Sequence, residues 1–259
     1  MISIGSAQID AWIAALIFPL ARILGFIASA PLWSTAAIPQ RTRLILGLAI
    51  TLAIAPALPP MPDVEPASLA GFWIMLQQML IGIGMGFAAR IVFAAFDMAG
   101  EFLGFQMGLG FATFYDPLRG SQTPVVAEFI GLIALLLFLS MNGHLLYFAT
   151  LAQSFVVMPV SAVPLAADSW LNLARLGSTI FSAGLLLSLP VVVALMITNI
   201  ALAVLTRAAP QLNIFALGFP LTLIGGFVAL AISMNYLAEP IQAVFEIGLA
   251  AMLGFAKLP

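Results

Sequence analysis

"LAGFWIMLQQMLIGIGMGFAARIVFAAF", Leu69–Phe96, is the stretch whose reading decides the fold. It is apolar almost throughout, with one base, Arg90, and no acid. Such a run exceeds the ~20 residues that carry an α-helix across a bilayer at about 1.5 Å per residue. A membrane β-barrel would show short alternating segments instead of long continuous runs. The rest of the chain reads the same way, in runs at Ile9–Ile38, Leu44–Leu58, Val125–Val157, Leu176–Leu205, Leu212–Leu237 and Ile241–Phe255. Leu44–Leu58 is short and reads as half of a hairpin. The expected fold class is all-α, a helical membrane protein of six to seven kinked helices or hairpins.

Composition agrees. The 259 residues are 63% hydrophobic and 7% charged, with a mean hydropathy of +1.19. A soluble domain carries about 25% charged residues, so the surroundings of this chain are lipid or other apolar helices. A net charge of −2 leaves no basic stripe to neutralise phosphates, which excludes a nucleic-acid role. Cysteine is absent, which removes disulfides, thiolate catalysis and Cys-based metal sites. The start "MISIGSAQID" lacks a basic n-region, so the first run is expected to serve as an uncleaved signal and spanning helix.

The runs are interrupted from within. Pro19, Pro190 and Pro220 each remove a backbone hydrogen bond where a helix is expected, and Asn142-Gly143 divides the fourth run. In lipid the freed groups need protein or water partners, so these helices are expected to bend around partners or a cavity. The charges between runs alternate in sign. The positive-inside rule puts the Arg41, Arg119, Arg207 and Lys257 junctions in the cytoplasm and the N-terminus outside.

Two kinds of residue stand out inside the runs. Gly100, Gly104 and Gly108, in "AGEFLGFQMGLG", share one helical face and form a ladder on which another backbone can pack; Gly82 and Gly86 repeat the spacing. Arg22, Arg90, Asp97, Glu101, Glu128, His144 and Arg207 are ionisable, and such residues usually face protein or water. Arg90 and Asp97 are two turns apart and placed to pair. The carboxylates suit either a proton relay or structural pairing at a subunit interface. His144, the only histidine, lacks companions for a metal site and reads as structural. "GIGMGFAAR" imitates a dinucleotide fingerprint but follows no strand. No catalytic residue, metal ligand or cofactor is expected.

"GLGFATFYDPLRGSQTPVV", Gly108–Val126, is too polar for lipid and too aromatic for an ordinary connector. Thr123-Pro124 reads as a helix start, threonine as N-cap and proline at the first helical position. The loop before it places Phe111, Phe114 and Tyr115 beside the turn formers Asp116-Pro117 and Arg119-Gly120. It belongs either in the aqueous junction or folded into a protein-walled channel.

"AGEFLGFQMGLGFATFYDP", "LLLFLSMNGHLLYF" and "RAAPQLNIFALGFPLTL" resemble the signature segments of the FliR family, called SctT in injectisomes. "IPQRTRLILGLAITLAIAP" resembles that family's first hairpin, and "PQLNIFALGFPLT" resembles its flagellar branch. The resemblance implies a pore-forming subunit of the flagellar type III export gate in the bacterial inner membrane, at the basal body. It would conduct unfolded flagellar subunits and assemble with FliP and FliQ, with FlhB and FlhA alongside. It also implies a FliP-like part over residues 1–175 and a FliQ-like helical hairpin over 176–259. The hinge between that hairpin's helices would lie at Arg207, Pro210 and Gln211. A pore plug would occupy 108–124, with Gly108, Gly110, Phe111, Phe114, Tyr115, Asp116, Pro117 and Gly120, while Gly100 and Gly104 pack helices. No fusion to FlhB is expected. Two alternatives stand beside this reading: an injectisome gate subunit of the same family, and an ion-coupled secondary transporter using Asp97, Glu101 and Glu128.

Overall fold

A computed structural model describes residues 6–110, 124–209 and 214–256. Among them lie nine α-helices and no strand: α1 (Ser6–Ser29), α2 (Gln40–Ile54), α3 (Leu69–Gln106), α4 (Val125–Ser140), α5 (Gly143–Val157), α6 (Ala167–Leu176), α7 (Ser178–Ala208), α8 (Ile214–Ser233) and α9 (Ala238–Phe255). Five helical stretches are long and apolar enough to cross a membrane, or six if α4 and α5 make one broken span. The fold class is therefore helical and membrane-spanning, as the runs imply.

Several boundaries differ from the hydropathy pattern, each for a local reason. The first run does not continue to Ile38. Helix α1 ends at Ser29, just before Ala30-Pro31, because proline offers no N–H and disfavours helical backbone in the residue before it. The third run continues past Phe96 through Asp97 and Glu101 to Gln106, since helix formation tolerates those acids wherever they point outward. Helix α4 begins at Val125, with Pro124 as its N-cap at φ −68° and ψ 105°, one position later than the Thr-Pro reading. The prolines at 19, 190 and 220 lie inside α1, α7 and α8, which run on past them.

The chain forms two compact units that do not follow chain order. One comprises Met1–Ile91, Asn142–Gly177 and Glu246–Pro259, the other Val92–Met141 and Ser178–Phe245.

In the first unit α2 folds back on α1, making the short second run half of a hairpin. A Cβ on Gly47 would stand 3.3 Å from Leu24 Cγ and 3.6 Å from Ile27 Cδ1. The α1–α3 seam is tighter still, and here backbone meets backbone. A Cβ on Gly82 would strike Arg22 O and lie 2.8 Å from Phe26 N; one on Gly86 would lie 2.8 Å from Phe26 O; one on Gly25 would lie 3.2 Å from Ile83 N. Small residues let helices approach this closely in lipid, where dispersion and not water exclusion drives association. Phe26, Trp33, Tyr147 and Phe148 cluster beside the seam in tilted and edge-on contacts, the Trp33 and Phe148 centroids 4.7 Å apart.

In the second unit Phe93, Phe96, Phe138 and Phe245 form an aromatic core with centroids 5.0–6.0 Å apart. Helix α4 lies against α3 through Gly100, where a Cβ would sit 2.6 Å from Ala127 N. Helices α7 and α8 pack together, with Leu195 Cδ2 3.9 Å from the Cβ position of Gly225.

Candidate functional site

Two places combine unusual chemistry with a defined position. The first is the buried arginine of α1. Arg22 has no exposed surface, and its guanidinium has no carboxylate partner among the described residues. Its Nε donates to Gln78 Oε1 at 2.8 Å, and Nη2 donates to that same oxygen. Nη1 donates to Ser154 Oγ at 3.1 Å and Nη2 to Met158 O at 2.9 Å. The Phe155 ring lies under Cζ at 4.1 Å. The counter-charge therefore comes from dipoles. Ser154 and Met158 belong to the C-terminal end of α5, where unsatisfied carbonyls sum to about half a negative charge, and the aromatic face adds a cation–π term. Arg22 thus ties α1, α3 and α5 together. Gln78 and Ser154 were not singled out by sequence reading, although Gln77-Gln78, two adjacent amides within an apolar run, was a readable signal.

The second place is the end of α3. Gly108 has a φ of 83°, in the left-handed region that favours glycine. Leu109 N donates to Gly104 O at 3.0 Å and Gly108 N to Phe105 O at 3.1 Å, the paired bonds of a Schellman stop. Gly108 is therefore the helix terminator and not a third rung of the ladder. A four-residue spacing cannot by itself distinguish the two roles. The stop is anchored from α8. Met107 is buried, its side chain fills the space a Cβ on Gly226 would take, and Thr222 Oγ1 donates to Met107 O at 3.4 Å.

The predicted residues distribute as follows. Gly100 packs on α4, whereas Gly104 is buried yet a Cβ there would meet nothing within 4 Å among the described residues, and its neighbour Phe105 is 78% exposed. Gly110 follows the stop. Phe111, Phe114, Tyr115, Asp116, Pro117 and Gly120 lie outside the described residues, as do Pro210 and Gln211. Arg207 is exposed in the last turn of α7, where a cation complements the helix dipole. The Arg90–Asp97 pairing is not formed: both are exposed, and neither makes an ion pair among the described residues. Asp97 instead lies by α4, its Oδ1 3.2 Å from the Cβ position of Gly131, and Glu101 and Glu128 are exposed. His144, at the start of α5, is not satisfied as its structural reading expects, since its buried Nδ1 has no hydrogen-bond partner among the described residues. No group of three His, Cys, Asp or Glu residues among the described residues is placed to hold a metal.

Long apolar helices, a backbone-to-backbone glycine seam and a buried, dipole-neutralised arginine inside the first of them define a polytopic helical membrane protein. Comparison with known sequences narrows this. The family described as "Bacterial export proteins, family 1" matches residues 13–247. The flagellar biosynthetic protein FliR of Pectobacterium carotovorum is 44% identical over 246 residues, 95% of this chain and 94% of that one. FliR of Escherichia coli K12 is 43% identical over the same lengths, and FliR of Bacillus subtilis 30% over 244 residues, 92% of each chain. The chain belongs to the FliR family of bacterial export proteins, a family of flagellar biosynthesis and protein export.

Proposed function

We propose that this protein is a pore-forming subunit of the flagellar type III export gate in the bacterial inner membrane. It would conduct unfolded flagellar subunits in a complex with FliP and FliQ, with FlhB and FlhA alongside. The observation that carries this reading is the anchored stop at Gly108. A long helix ends in a left-handed glycine, clamped by Thr222 and Gly226, immediately before an aromatic and glycine-rich segment. An anchored helix end followed by a sequence of bulky side chains is what a channel stopper needs. The bare apolar faces give further support. Only seven of the 31 residues of α7 are buried within the chain, and Leu217, Phe219, Ile224, Phe227 and Ile232 of α8 are exposed, leaving surface for lipid and for neighbouring subunits. The transporter alternative gains nothing from the carboxylates. Asp97, Glu101 and Glu128 are exposed, and none lines the apolar cavity between Phe96, Leu187 and Leu237 of the second unit.

The deciding experiment removes Phe111 to Arg119 and co-expresses the shortened chain with FliP and FliQ. The complex is expected to assemble and to leak, seen as ion conductance in bilayers and as growth inhibition by added salt. Phe114→Ala alone should leak less, because the neighbouring rings still obstruct the lumen. An assembled complex that remains tight after the deletion would remove the plug assignment.

A further inference from the structure

The first unit carries an open groove of about 450 Å³ between the start of α1 and the proline-rich connection from α2 to α3. Its floor includes Ala11 and Ala15 of α1, and Leu58 forms part of its wall. Asp10, Asp63 and Glu65 line it, and no basic residue does. None of the three carboxylates makes an ion pair or a side-chain hydrogen bond among the described residues.

Three negative groups around an apolar floor set the chemistry of an occupant. A single metal ion is disfavoured, since no three acidic or histidine side chains among the described residues converge on one point. The charges are instead spread along the groove, whose volume falls within the range of peptide- and ligand-sized clefts. We infer that this groove docks a lysine- or arginine-bearing segment of a partner protein, its aliphatic stems on Ala11, Ala15 and Leu58 and its cationic ends at Asp10, Asp63 and Glu65. Long basic side chains suit such a site because they combine an apolar stem with a charged tip. Charge complementarity of this kind supplies orientation and encounter rate, and it weakens as salt is added.

The test uses the full chain in nanodiscs of neutral phosphatidylcholine, with a fluorescein-labelled peptide of alternating lysine and alanine as probe and its glutamate counterpart as control. Fluorescence anisotropy should show binding of the lysine peptide only. Asp10→Asn, Asp63→Asn and Glu65→Gln together should weaken binding about tenfold, the summed effect expected of three exposed ion pairs. Ala11→Trp, which fills the groove without altering charge, should weaken it as much. A triple variant that binds like the parent would overturn the inference. So would an Ala11→Trp chain with unchanged affinity, which would reduce the effect to bulk charge. Displacement of the peptide by micromolar calcium would replace the docking site with a metal site. Should the triple variant fail to fold, Ala11→Trp decides alone.

Discussion

The guanidinium of Arg22 closes as a fork on the side-chain oxygen of Gln78, Nε at 2.8 Å and Nη2 beside it, joining α1 to α3 at a point without water-exposed surface. Removing one member strands the other. Gln78→Leu leaves a buried charge short of its main acceptor and should cost about 1.5–3 kcal/mol, as losing a hydrogen bond to a charged group does. Arg22→Met with Gln78→Leu should recover most of that loss, because two apolar groups of similar volume need no partners. Thermal unfolding in detergent of the two single variants and the double variant reads the coupling. Additive losses would mean that Ser154, Met158 and Phe155 hold the arginine without Gln78.

Gly100 and Gly104 should respond differently to the same change. Gly100→Leu drives a side chain into Ala127 and should destabilise the isolated chain by about 1–3 kcal/mol. A Cβ on the buried Gly104 meets nothing within 4 Å among the described residues, so Gly104→Leu should cost less stability than Gly100→Leu while co-purification of FliP falls. Normal complex yield and normal motility with Gly104→Leu would show that this position faces no subunit.

Asn142 holds φ 57° between α4 and α5, the one positive φ at a non-glycine position among the described residues. Asparagine tolerates that region and β-branched residues do not. Asn142→Val should lower stability by about 1–2 kcal/mol, whereas Asn142→Gly should be near neutral. Equal melting temperatures for the two variants would mean that the break relaxes to helical backbone at no cost.

Arg207 ends α7 exposed and without an ion pair among the described residues. If a partner's carboxylate or carbonyl meets it in the assembled gate, Arg207→Leu should impair secretion more than Arg207→Lys. Equal, near-normal secretion by both would reduce Arg207 to a topology signal and a helix-end charge.

The sequence revealed most where one physical cause acts over a short stretch. Apolar length gave the spans, Asn142-Gly143 gave the break, and a fifteen-residue second run gave the α1–α2 hairpin. It revealed least where the cause lies far along the chain. Arg22 stood out as a costly charge, but nothing local could point to Gln78 or to Ser154. The ladder misled at Gly108 because close packing and helix termination both select glycine, and only φ separates them. The seven-residue spacing of Arg90 and Asp97 allowed an ion pair that their exposed side chains do not make.

The arginine cluster also has a history in time. Gln78 follows Arg22 by 56 residues and Ser154 by 132. At about 5–20 residues per second, synthesis reaches Ser154 on the order of ten seconds after Arg22 leaves the ribosome. Until Gln78 is made, α1 carries a cation worth roughly 2.5–3.5 kcal/mol against insertion with no acceptor, and from then until α5 is made it has that one amide oxygen alone. The first helix can therefore settle fully only retroactively, when α5 arrives to add the Ser154 hydroxyl and the Met158 carbonyl to Gln78. Until then it must wait beside water or within the insertion machinery, and a ribosome that stalls before Ser154 leaves a first span ready to slip back out.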